Sequence, residues 1–240
     1  MTRLHHMEAK TRPSVHQRYY LWAALACATI AVTGFGRSYY LKSLLGTPPL
    51  PAWLHVHGLV MSSWCLLFGA QTFLVASHRV QLHRRLGIFG AVLGIVVVVI
   101  GTYVTVEATA REVRDHVVQR FHFLFGFNLV NLLVFSLLVL TALAMRGRPD
   151  FHKRLMLLAT VTLLAPAVAR IVLLFNHAAM TQLLAFDACL LACVAADTVL
   201  HWRLHPAFGW GATGVLVAFH LTFIALGAKW WLPFVARVFS

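Results

Sequence analysis

LGIFGAVLGIVVVVIGTYVTV, residues 86–106, contains no charged side chain, and its reading decides the fold. A helix needs about 20 mostly apolar residues to cross the hydrocarbon core of a bilayer, and this stretch is long enough. Six further stretches match it: residues 19–36, 52–77, 121–145, 155–175, 182–200 and 207–228. The expected architecture is therefore an all-α, polytopic bundle of seven transmembrane helices. Among these stretches only the fifth, with Arg170, and the sixth, with Asp187 and Asp197, contain formal charges. Pro166 lies inside the fifth and is expected to kink it.

Composition agrees. Of 240 residues, 60% are hydrophobic and 11% charged. Soluble domains carry roughly 25% charged residues, which excludes an ordinary soluble fold, and the apolar content excludes disorder. Four cysteines without close pairing exclude a disulfide scaffold. Three segments follow: a basic tail over residues 1–18, a seven-helix domain over 19–228 and an interfacial tail over 229–240, opened by Lys229-Trp230-Trp231-Leu232-Pro233. The tail at 1–18 has no apolar run, so the first span is expected to stay as an anchor.

Twenty Lys and Arg against seven Asp and Glu leave a formal charge of +13. The cations are spread over short loops, which suits anionic lipid headgroups and not nucleic acid. The N-terminal tail and the loops after spans two, four and six hold most of them. Positive charge stays in the cytoplasm, so the expected topology is N-in, C-out in a bacterial inner membrane. The lipid bilayer is the obligatory partner. A respiratory complex or a second copy of the chain is a further candidate.

The chain repeats itself. Arg79-Val80-Gln81-Leu82-His83-Arg84-Arg85-Leu86 opens span three, and Arg148-Pro149-Asp150-Phe151-His152-Lys153-Arg154-Leu155 opens span five. Arg203-Leu204-His205-Pro206, before span seven, is a degenerate third copy. The pattern predicts three helical hairpins that each turn at the same face, with a histidine at the elbow.

Ionisable groups in a bilayer are costly and face the bundle interior, so they propose a site. At a rise of about 1.5 Å per residue, His57, His122, Arg170, Asp187 and His220 fall in the outer third of five helices. Arg170 and Asp187, at matched depth on consecutive spans, are the expected structural ion pair. His57, His122 and His220 are candidate metal ligands. Two imidazoles from facing helices can hold a haem, and an arginine such as Arg170 can meet its propionates. An inner layer holds Gln71, His83, His152, Asp197, His201 and His205, from which His83 and His152 are candidates for a second cofactor layer. Haem b or copper is the cofactor this chemistry suggests. Cys27, Cys65, Cys189 and Cys193 read as packing residues. No phosphate-binding glycine loop, His-Glu-x-x-His or nucleophile elbow is present, so no reaction is assigned.

His55-Val56-His57-Gly58, Trp64, Gln71 and Leu82-His83-Arg84-Arg85-Leu86-Gly87, with Phe151-His152-Lys153-Arg154-Leu155-Met156 further on, resemble a pattern in bacterial His-rich multi-span membrane proteins of no established reaction. More distantly, the chain resembles small His-rich membrane proteins linked to haem–copper oxidase assembly. That resemblance implies a haem or copper connection and a redox or oxidase-assembly role. A proton-coupled or small-solute transporter and a non-catalytic membrane scaffold are the competing readings.

Overall fold

The computed structural model describes residues 14–46, 49–114, 118–175 and 178–239; for His16 and for residues 118–123 it describes the backbone alone. The architecture is all-helical. Helix α1 is Val15–Phe35, α2 Ala52–Ala76, α3 Val80–Arg114, α4 Val118–Ala144, α5 Pro149–Thr162, α6 Ala165–Val172, α7 Ala179–His201, α8 Pro206–Leu226 and α9 Trp231–Phe239. A π-helical turn, Gly36–Tyr40, and a 3-10 turn, Lys42–Leu45, continue α1. Six helices are long and apolar enough to cross a membrane, and α5 with α6 make a seventh, broken span.

Local chemistry sets the ends. Ser14 caps α1 by accepting a hydrogen bond from the Gln17 amide, while the Gln17 side chain accepts from the Ser14 amide, a reciprocal box that satisfies two orphan donors. The helix thus begins four residues before the apolar run does. Pro149 and Pro206 occupy the first turns of α5 and α8, where the missing N–H costs nothing. Pro166 acts differently. It lacks the N–H that would bond the Thr162 carbonyl, and its ring crowds that carbonyl. Helix α5 stops at Thr162, and α6 departs at 43°. The expected kink is a full break.

The chain runs as consecutive hairpins: α2 against α3, α4 against α5 and α7 against α8. Their turns lie at one end of the bundle, here called the elbow face. Helix α4 also packs on α3 and α8, and α1 closes the bundle by packing on α2 and α6. Helix α5 is the most enclosed, with Leu157, Leu158, Ala159 and Thr160 inaccessible. Large apolar side chains such as Leu66, Ile88, Ile95, Leu140, Val199 and Ile224 point outward. A continuous apolar exterior around a core that contains buried polar groups is what a lipid surround requires. The C-terminal tail folds into α9, which turns Trp231 and Val235 onto Phe125 and Leu226.

Close approach is set by glycine at one crossing. A Cβ on Gly34 would collide with the backbone of Ala167, so α1 and α6 touch main chain to main chain there. Gly34→Val is expected to separate α1 from the broken span and cost about 1–3 kcal/mol. A lower midpoint of thermal unfolding in detergent is the readout; an unchanged midpoint would show that α1 carries little of the bundle's stability.

Candidate functional site

Arg154 lies on the second turn of α5. The elbow turn before Pro149 aims this face of the helix at α7 and α8, so the guanidinium enters the bundle. Arg154 is 1% exposed and Asp197, on α7, 0%. Arg154 Nε donates to Asp197 Oδ2 at 2.8 Å. Its Nη1 donates to the Asp150 carbonyl at 3.0 Å, and the guanidinium lies 5.8 Å from the Phe208 ring centre. Tyr20, on α1, donates its hydroxyl to Asp197 Oδ1 at 3.3 Å.

His201 completes the network. Its Nδ1 is 2.8 Å from the Asp197 carbonyl and must donate to it. Arg154 Nη2 lies 3.3 Å from its Nε2 and 3.4 Å from its Nδ1, so the ring sits between the α7 main chain and the guanidinium. Asp150, at the rim, takes Lys153 Nζ at 2.7 Å and Arg154 Nη1 at 3.6 Å. A small cleft of about 80 Å³ opens beside the network, lined by Asp150, Arg154, His201, Arg203 and His205. His205 lies in the turn between α7 and α8, outside both spans. Burial, with Arg154 close by, holds its imidazole below the usual histidine range.

A second carboxylate–imidazole pair sits nearer the other end of α7. His220 Nε2 is 3.3 Å from Asp187 Oδ2, and His220 Nδ1 is 2.9 Å from the Leu216 carbonyl. Nδ1 must donate to that carbonyl. Nε2 therefore faces a carboxylate oxygen at ion-pair distance. In the same interior, His57 Nδ1, Asn131 Oδ1 and Asp187 Oδ1 are buried with no hydrogen-bond partner among the described residues. Such orphans are rare and mark places where something polar is to be met.

The elbow histidines of the two matching repeats do meet. The His83 and His152 rings lie edge to face with centres 6.4 Å apart. His152 Nδ1 is 2.8 Å from the Ala142 carbonyl. With its amide turned to satisfy both neighbours, Gln71 accepts from the Gly87 amide at 3.1 Å and donates to the His83 carbonyl at 3.2 Å. The third elbow joins through Phe151, whose ring lies 4.8 Å from that of His205.

The outer layer read from the sequence is rearranged. Arg170 and Asp187 do not pair. Arg170 donates to the Pro166 carbonyl at 2.9 Å and lies over Phe35, 4.5 Å from the ring centre, because α6 packs on α1 as well as on α7. Asp187 faces α8 and His220 instead. The structural ion pair is Arg154 with Asp197. His57, on α2, lies in the field of Arg170, whereas His220 lies on α8, which packs on α4, α5 and α7. The side chain of His122 lies outside the described residues. Among the described residues no group of three or more His, Cys, Asp or Glu is placed to hold a metal ion. The four cysteines are free thiols.

Arg154 is the residue that sequence reasoning misplaced. It sits in a cationic elbow and counts there as a loop charge. Its position four residues after Asp150, directly before the uncharged run Leu155–Ala169, was the available signal.

Comparison with protein-family models, with curated proteins and with solved structures gives no match to this chain.

Asp197→Leu is expected to destabilise the protein by about 3–5 kcal/mol, because it strands the buried arginine. Arg154→Met combined with Asp197→Leu is expected to recover most of that loss. A double-mutant cycle by thermal unfolding in detergent checks this; equal unfolding midpoints for the single and the double variant would show that the two charges are not coupled.

Proposed function

We propose that the chain is a proton-coupled membrane carrier for a small solute. The Asp187–His220 pair carries the reading, since it sets an imidazole nitrogen 3.3 Å from a carboxylate oxygen on facing helices, a pairing through which a proton could pass. Three features support it. The same helix carries a second carboxylate–imidazole pair, Asp197–His201, ten residues and about 15 Å further along. A broken span, α5–α6, lies against α7, and interrupted helices serve carriers as sites where backbone groups and side chains meet solute. The buried polar atoms on His57, Asn131 and Asp187 lie inside the bundle without protein partners among the described residues. The excess of Lys and Arg at the elbow face favours a bacterial inner membrane with that face in the cytoplasm. In that orientation Asp187–His220 is the outer proton site, and the Arg154–Asp197–His201 network lies toward the cytoplasmic face.

Proteoliposomes with an entrapped pH dye test the reading. A membrane potential, negative inside, is imposed with a low-molecular-mass cell extract supplied outside. Proton uptake above that of empty liposomes is expected, and Asp187→Asn is expected to abolish it while the protein still elutes as a single species. No uptake by the wild type, or full uptake by Asp187→Asn, overturns the proposal.

One observation favours a second reading, a haem- or copper-binding protein with a redox or oxidase-assembly role. His83 and His152 come from equivalent elbows, and their rings meet. His152 is oriented through Nδ1 by a backbone carbonyl, the outer contact that metal-binding histidines usually carry. His83 and His152 would hold the group, and a bound haem or copper ion would supply one-electron chemistry. Protein purified from cells supplied with haem and copper would then show a visible absorption band or stoichiometric copper, lost in both His83→Ala and His152→Ala. A signal equal in both variants would place the group elsewhere.

A further inference from the structure

We propose that the third elbow, between α7 and α8, is a binding site for a phosphate oxyanion, taken either as a free phosphate or as the headgroup of an anionic phospholipid. The site is the cleft lined by Asp150, Arg154, His201, Arg203 and His205. Its volume of about 80 Å³ has room for a compact polar group.

Charge favours an anion. Lys153, Arg154 and Arg203 face Asp150 and Asp197, so one positive charge is left uncompensated. Lys153 and Arg154 are already engaged by the carboxylates. The surplus lies on Arg203, which is exposed and makes no ion pair among the described residues.

His205 supplies a directed donor. The residue is 8% exposed. Its Nδ1 accepts from the Ala207 amide at 3.1 Å and caps α8. A ring that accepts at Nδ1 carries its proton at Nε2. That N–H has no partner among the described residues, and the ring lines the cleft. A donor left unpaired on the wall of the cleft, beside a surplus cation and at the start of a helix whose dipole is positive there, is a site for a negatively charged oxygen. The surroundings fit a headgroup level: Trp202 and Trp210 are among the most exposed residues of the protein, and tryptophans of this kind settle at membrane–water interfaces. This inference stands apart from the carrier reading, because it concerns binding at the rim and not passage of protons through α7.

The test uses the full chain in detergent and in lipid nanodiscs. In detergent, inorganic phosphate is titrated while tryptophan fluorescence is followed. In nanodiscs, retention of phosphatidylglycerol over phosphatidylcholine is read by native mass spectrometry. Arg203→Gln removes the surplus charge. His205→Asn keeps a side-chain acceptor for the α8 cap and deletes the Nε2 donor. Arg84→Gln, on another elbow, removes an equal charge elsewhere. Saturable phosphate binding, weakened in both site variants and unchanged in Arg84→Gln, supports a free-phosphate site. Selective phosphatidylglycerol retention with the same pattern supports a headgroup site. Absence of both, or binding that Arg203→Gln and His205→Asn leave unchanged, overturns the proposal, whichever way the proton-flux assay turns out.

Discussion

A guanidinium and a carboxylate, both shut away from solvent, set the terms for the rest of this molecule. Arg154 and Asp197 each carry a desolvation penalty of several kcal/mol, which their mutual attraction offsets only with good geometry and with every remaining polar atom satisfied. The bundle meets that demand from four directions. Helix α7 provides Asp197 and His201, α1 provides the Tyr20 hydroxyl, α5 provides the Asp150 carbonyl, and α8 lays Phe208 beneath the guanidinium. A charge pair of this kind specifies an arrangement more than it adds stability. Slipping α5 or α7 by one turn would leave a bare ion in the core. Apolar faces alone would tolerate such a slip, since lipid tails are as apolar as the side chains that pack there.

The fold was legible because a bilayer imposes length and composition together. Charge-free runs of helical length fixed the helices, and the elbow repeat fixed the hairpins. Boundaries moved wherever polar capping extends a helix past its apolar run, as Ser14 and Gln17 do for α1. Pro166 announced the break in the fifth span, because loss of one amide proton acts locally whatever surrounds it. Residue pairing was another matter. Depth along a helix follows from counting residues, but azimuth does not, and Arg170 and Asp187 share a depth while facing different neighbours. Arg170 turns to Phe35 on α1, and Asp187 turns to His220 on α8. The bend between α5 and α6 decides this, and its direction cannot be read from the position of a proline. Arg154 was hidden for a related reason. The rule that places cations in loops describes the elbow as a whole, whereas one residue of that elbow faces inward.

Helix α7 gathers what is chemically active. Its two aspartates lie ten residues apart, each beside a histidine, in contrasting settings. Asp197 is neutralised by a permanent cation, and its imidazole neighbour lies against the same guanidinium. Asp187 has no arginine, and its histidine is tied at Nδ1 to the Leu216 carbonyl. One carboxylate is paired with a permanent cation and the other with an imidazole alone. The difference comes from the neighbouring helix in each case: α5 carries an arginine at that level, and α8 carries a histidine.

The repeat explains how such asymmetry arose within a regular frame. Arg85 and Arg154 occupy the same place in matching elbows, yet Arg85 is exposed at the elbow face and Arg154 is buried. Both follow a histidine and a cation and precede leucine, and the local difference is slight: Asp150 stands four residues before Arg154 where Gln81 stands before Arg85. What differs is what lies against them. The third hairpin covers the second elbow, setting His205 against Phe151 and Phe208 under Arg154, and α7 brings Asp197 to meet the charge. The first elbow has no such cover, so its arginine stays at the surface as an ordinary cation. A repeated motif thus becomes a surface anchor at one hairpin and the centre of a polar network at the next, and tertiary packing makes most of the difference.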